Sequence, residues 1–159
     1  MDLVSIEMGI GMLLLFVVPI VYAVTNQSRK EKNTIKKVEA LCGSTNIKLT
    51  DSAIFQSLFI GIDKNSKTLV TSSVPVKEEH IDVFPLKDVK ACSVFKLEVP
   101  KAGQPKMTSI EKVAIELIFK DKAIKNHHIV FFDDEIGMDP HASMNQAATW
   151  VTLISKNLN

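Results

Sequence analysis

The 159 residues balance nineteen Lys and Arg against eighteen Asp and Glu, a formal net charge of +1, so no strong basic or acidic excess directs the chain toward an oppositely charged partner. Only Arg29 among the nineteen is arginine, and planar bidentate recognition of phosphate and guanine leans on that side chain, which argues against nucleic acid as a ligand. Two cysteines, Cys42 and Cys92, have neither CxxC nor His-paired spacing and read as inert thiols rather than as a disulfide or a nucleophile.

The first element in chain order is Met8 to Val24, MGIGMLLLFVVPIVYAV, seventeen residues without a charge that include Leu13, Phe16, Pro19 and Tyr22. A hydrocarbon core of about 30 Å needs roughly 20 apolar residues, and flanking Leu3, Val4, Ile6 and Thr25 extend the run to that length. The expectation is one membrane-spanning helix, kinked modestly at Pro19. A cleaved secretory leader would start basic and end in a small-residue site. Here Asp2 and Glu7 precede the run, and Tyr22-Ala23-Val24 makes a poor site. Cleavage and export of the remaining domain stand as an alternative, recognisable by a mature chain beginning near Val24 or Thr25.

Arg29, Lys30, Lys32, Lys36 and Lys37 follow the run, and a basic flank stays on the cytoplasmic side. The expected location is therefore single-pass in the inner or plasma membrane, N-terminus outside and C-terminal domain cytoplasmic. The same cations suit anionic headgroups, so the lipid bilayer is a partner in this reading. Residues 1–26 are the anchor, 27–50 a basic juxtamembrane segment, and 51–159 one domain with a single core. Within the segment, Ile35, Val38, Leu41 and Cys42 recur at helical spacing before Gly43, which marks a short amphipathic helix.

From Ala53 the period becomes extended. AIFQSLFIGID and KTLVTSSVPV form a predicted hairpin about Asp63-Lys64-Asn65-Ser66. HIDVFP and KACSVFKLEV follow as strands, with Leu86-Lys87-Asp88-Val89 as a tight corner. Pro100 to Thr108 holds two prolines and a glycine and is expected to be a loop. In the next strand Val113, Ile115, Leu117 and Phe119 alternate with Ala114, Glu116, Ile118 and Lys120, and HIVFF at 128–132 is a further strand. Asp139 as N-cap and Pro140 at the first helical position open the last helix, whose apolar stripe is Met144, Ala147, Val151, Ile154 and Leu158. Trp150 lies beside that stripe and serves as a structural anchor on the sheet.

The expected fold class is α+β: an N-terminal transmembrane helix, then six or seven antiparallel strands bent into a small barrel closed by a C-terminal amphipathic helix. On FIGIDKNSKTLV, LKDVKACSVF, IELIFKD and ATWVTLI, residues 51–159 resemble a pleckstrin-homology-like domain, a type found in bacteria in membrane-tethered and soluble forms. The resemblance implies a scaffold that binds lipid or protein and is seldom an enzyme; no cofactor is expected. Phosphoinositide-binding members carry an arginine-containing cluster in the first hairpin, where this chain offers only Lys64 and Lys67.

Chemical motifs are sparse. His127 and His128 are neighbours on a strand and point to opposite faces, so they are poorly placed to share a metal. Asp133, Asp134, Glu135 and Asp139, with His141 beyond, lack the spacing of a calcium loop. Two functions from different classes follow. The favoured one is a membrane-anchored adaptor that docks a protein partner or the membrane surface, with no small-molecule substrate. The alternative is an enzyme using His80, His127 or the Asp133–Asp139 loop.

Overall fold

The computed structural model describes residues 17–19, 21–22, 26, 29, 31–41, 47–76, 80–101, 104–135 and 139–158. Internal contacts divide the chain into two units, Met1–Lys37 and Val38–Asn159. Every described residue from 17 to 41 is helical, and the stretch 31–41 is labelled α1. Met8, Leu13, Phe16, Val24, Lys30 and Cys42 lie outside the described residues. Pro19 and Tyr22 are helical and exposed, Tyr22 at 71%. Arg29, Lys32, Lys36 and Lys37 are likewise exposed.

Among the described residues no helix is long and apolar enough to cross a membrane. The expected single-pass span is corrected on that finding, and the location built on it, N-terminus outside and body cytoplasmic, loses its support. The physical reason lies in the same stretch. Of the run Met8–Val24 the described helical residues are 17–19 and 21–22, and the helical residues after it include Arg29, Glu31 and Lys32, so neither described part supplies the roughly 20 apolar residues a bilayer requires.

The second unit opens its first sheet with β1 (Asp51–Phe55) and β2 (Leu58–Asp63), continues with β3 (Thr68–Ser73), and ends with β4 (Ile81–Pro85). All pairings are antiparallel, in the order β1-β2-β3-β4. The run AIFQSLFIGID, expected as one strand, is two. Its turn is Gln56-Ser57, with Gln56 in the left-handed region at φ 51°. The β2–β3 turn falls where the Asp63–Ser66 cluster predicts it.

Pro85 leads into a single 3-10 turn, Leu86–Asp88, which carries the chain to β5 (Val89–Lys101) in the second sheet. That sheet continues with β6 (Gln104–Phe119) and β7 (His127–Asp133), in the order β5-β6-β7. Within the expected loop at Pro100–Thr108, residues 100–101 and 104–108 instead continue the β5–β6 ribbon, paired through Pro100↔Thr108 to Lys101↔Gln104. Register shifts at Leu97/Glu98 and Pro100/Lys101 let the ribbon absorb Pro100, which would otherwise interrupt a regular ladder.

One apolar cluster joins the sheets and the C-terminal helix, α2 (Pro140–Ser155), which contacts all three strands of the second sheet. Ile60, Ile62 and Leu69 come from the first sheet, Ile115, Leu117 and Ile129 from the second, and Trp150 and Ile154 from α2. The helix starts as the sequence announces: Asp139 accepts hydrogen bonds from the amides of His141 and Ala142 at 2.9 and 3.0 Å. Its buried face is centred on Ser143, Ala147, Trp150 and Ile154, so Trp150 stands on the stripe rather than beside it. Met144, Val151 and Leu158 flank the core, half-buried.

The expected barrel does not close. β1 and β4 bound one sheet, β5 and β7 the other, and among the described residues no ladder joins the two. Closure would require strand edges about 4.8 Å apart. Rings occupy the gap instead: Phe84 meets His127 with centroids 4.6 Å apart, and Phe55 meets Phe131 at 5.5 Å. Among the described residues the architecture is α+β with two antiparallel sheets and seven strands.

Candidate functional site

Beside β7 the two sheets part and leave an open cleft of about 430 Å³. The register of the first sheet explains its floor. Thr71 pairs with both Ile60 and Asp82, so these three side chains share the core-directed face with Phe55, Leu58 and Ser73. Toward the corner this face is Ile62 and Leu69. Toward the β1–β2 turn it becomes Thr71, Ser73 and Asp82, and polar groups there hold the floor open to water. Thr71 is nearly buried, whereas Asp82, Ser73 and His80 are exposed.

The opposite wall is β7 itself, all seven residues of which line the cleft. This strand forms because HIVFF is β-branched and aromatic, and it pairs with β6 over Lys112–Leu117. The ladder skips Phe131, since Val113 faces Phe132 while Ala114 faces Val130. That bulge lets the adjacent Phe131 and Phe132 both be buried, which a regular strand with alternating faces would not allow. β7 pairs with β6 alone, so its other edge faces the cleft unpaired among the described residues.

His80, His127 and Asp133, the residues behind the enzymatic alternative, all border this cleft. His127 and Asp133 are the two ends of β7, whereas His80 comes from just before β4, and the sequence did not join them to Asp82, Phe55 or Leu58. The adjacent histidines occupy different surroundings. His127 stacks on Phe84, while His128 stacks on Phe95 at 4.6 Å and stands 3.5 Å from Glu116, whose Oε1 also accepts from Asn126 at 2.8 Å. Asp133 Oδ1 accepts from the Glu135 amide at 3.3 Å, and its Oδ2 lies 3.9 Å from the Lys112 ammonium. With Asp139 committed to capping α2, both ends of the acidic loop have structural work. Among the described residues no group of three or more His, Cys, Asp or Glu is gathered to hold a metal.

Lys64 and Lys67 sit at the β2–β3 turn, outside the cleft. The Lys64 ammonium pairs with Asp51 at 2.5 Å, and its amide donates to Thr50 Oγ1. Lys67 takes φ 49°, and its carbonyl accepts from the Leu86 amide at 2.8 Å, tying the turn to the corner. The organiser of this turn is Asp63, which the sequence places in the turn cluster without singling it out. It is almost wholly buried and accepts from the amides of Lys48, Asn65 and Ser66 at 3.0, 2.8 and 3.2 Å. Burial pushes its pKa up, but those hydrogen bonds outweigh burial and hold the carboxyl below its ordinary value of 3.8. The Asx pattern Asp-x-Asn-Ser at a strand end was the available signal.

Cys92, half-buried under α2, contacts the Val151 carbonyl at 3.6 Å and the Ser155 hydroxyl at 3.3 Å. Burial raises its pKa, against the opposing effect of the Ser155 hydrogen bond. The thiol form dominates near neutrality, as the inert reading requires. Chemically, the cleft offers a free strand edge, aromatic and aliphatic walls, hydroxyls, and the carboxylates of Asp82 and Asp133. Compared with protein-family models, with curated proteins and with solved structures, the chain matches none.

Proposed function

We propose that the β domain is a binding module that docks a protein partner in the cleft beside β7. One observation carries this reading: an entire strand edge faces an open cleft with apolar rings beneath it. An unpaired edge is a row of hydrogen-bonding groups ready for another chain, and natural domains leave such edges open where they use them. The cleft volume of about 430 Å³ falls within the usual range of binding sites. The succession of four strands, three strands and a terminal helix is compatible with a pleckstrin-homology-like scaffold, whose implied role is binding. A catalytic use of His80 and His127 is less favoured, since among the described residues neither ring is hydrogen-bonded to a hydroxyl, thiol or carboxylate that it would activate or be oriented by.

A photo-crosslinking amino acid placed at Ser73, on the cleft rim, tests the reading in cells of the source organism. The control position is Ile124, 49% exposed on the β6–β7 loop. A discrete crosslinked partner from position 73, absent from position 124, is the expected result. Identical crosslinking from both positions, or none from position 73, overturns it.

A further inference from the structure

We infer that β7 accepts an extended peptide segment carrying apolar and cationic side chains as a fourth strand of the second sheet. This rests on the binding-module reading and names its occupant.

The backbone argument comes first. β7 is seven residues long, about 23 Å at the usual rise, and its whole length borders the cleft. It contains neither Lys nor Pro, the residues that commonly blunt an exposed edge. The bulge at Phe131 kinks the strand, so a regular ladder with an incoming segment extends over His127 to Val130 and ends there.

The side-chain argument selects the occupant. In an added strand alternate residues turn toward the floor, where they meet Leu58 and Phe55 as apolar contacts and Asp82 as a charge. Asp82 is exposed and has no ion-pair partner among the described residues, and Asp133 has only the 3.9 Å approach of Lys112. Among the described residues neither Lys nor Arg lines the cleft, so the fixed charge they place there is negative and a segment with Lys or Arg is the complement. An acidic segment would meet repulsion from both carboxylates.

The test uses the full-length protein and three ten-residue peptides: alternating Val and Lys, alternating Val and Glu, and the Val/Lys peptide with two central prolines. Amide exchange read by nuclear magnetic resonance reports where each peptide lies. The Val/Lys peptide is expected to bind and to protect alternate amides between His127 and Val130. The proline and Val/Glu peptides are expected to fail. Asp82→Asn, at an exposed position that leaves the fold intact, is expected to weaken Val/Lys binding roughly three- to fivefold, in line with an exposed ion pair. Binding of the Val/Lys peptide without protection of β7, equal binding of the Val/Glu peptide, or binding of none of the three overturns the strand-addition inference. A partner crosslinked from Ser73 in any of those cases leaves the broader docking reading standing, whereas its absence removes both.

Discussion

The two sheets are joined at one end of their shared core and parted at the other, and the contrast separates what holds this domain together from what it can offer a partner. At the corner, Leu86 is fully buried and Val89 almost so. Backbone bonds lace the segment on both sides, from the Leu86 amide to the Lys67 carbonyl and from the Lys120 amide to the Asp88 carbonyl, each 2.8 Å. The Lys120 ammonium adds a third tie, to the Lys87 carbonyl at 2.6 Å. At the cleft the same inner face carries Thr71, Ser73 and Asp82, and ring contacts replace hydrogen bonds between the sheets. Apolar closure needs both faces dry. Three polar inner-face positions suffice to keep one end wet and one strand edge free.

The largest effect should come from the corner. Leu86→Ala removes a fully buried side chain from a site with little room to collapse and is expected to destabilise by about 2–5 kcal/mol. Leu58→Ala, on the half-buried cleft floor, should cost distinctly less, since water already reaches the site. Urea unfolding followed by Trp150 fluorescence measures both. Equal losses would mean that the cleft end is as tightly packed as the corner, and the contrast would fail.

Asp63 sharpens the comparison from the polar side, because the turn it organises delivers Lys67 to the corner. Asp63→Asn exchanges a carboxylate with three backbone donors for an amide, and a loss of about 1–3 kcal/mol is expected. The sign of the pH dependence follows from the lowered pKa. A carboxyl depressed in the folded state contributes its full stability above its unfolded value, near 4, and loses it as pH falls through the lower folded value. The gap between wild type and D63N should therefore be constant from pH 7 down to about 5 and narrow below about 4. A gap that persists unchanged at pH 2.5 would assign the effect to shape rather than charge.

The closed side of the domain was largely legible in the sequence and the open side was not. Alternation placed Val113, Ile115 and Leu117 in the core, and Asp139-Pro140 marked the start of α2, because each signal is local and repeats. The turn at Gln56-Ser57 carried no such signal. Glutamine rarely takes positive φ, and the pairing of Phe55 with Leu58 imposes it there. The ribbon through Pro100 was hidden for a related reason, since two prolines and a glycine read as a loop unless register shifts absorb them. The seventeen uncharged residues from Met8 satisfied a length rule that no helix among the described residues meets. The cleft draws on residues 55–58, 71–73, 80–82 and 127–133, and a free edge is a missing partner, which leaves no trace in local pattern. One clue was present: Thr71, Ser73 and Asp82 fall where alternation puts core.

A smaller effect is expected at the cap of α2, which packs against the second sheet away from the cleft. Asp139→Ala removes the acceptor for two amides and should cost about 1 kcal/mol. The change should speed amide exchange in the first turn of α2 while leaving β7 exchange as it was. Faster exchange along β7 would show that cleft and helix are energetically continuous rather than separate.

The smallest effect is the most informative about the open end. Asp82 is exposed, borders the cleft and has no ion-pair partner among the described residues. Replacing it with Asn removes a charge that makes no described contact, so stability should change by no more than about 0.5 kcal/mol in either direction. Asp133 lines the same cleft, and relief of repulsion between the two carboxylates would place any change on the stabilising side, most visible at low salt. A loss above about 1 kcal/mol would mean that the carboxylate supports the fold. An unchanged or slightly raised stability leaves Asp82 free to meet a ligand, as a residue kept polar on a core-directed face should be.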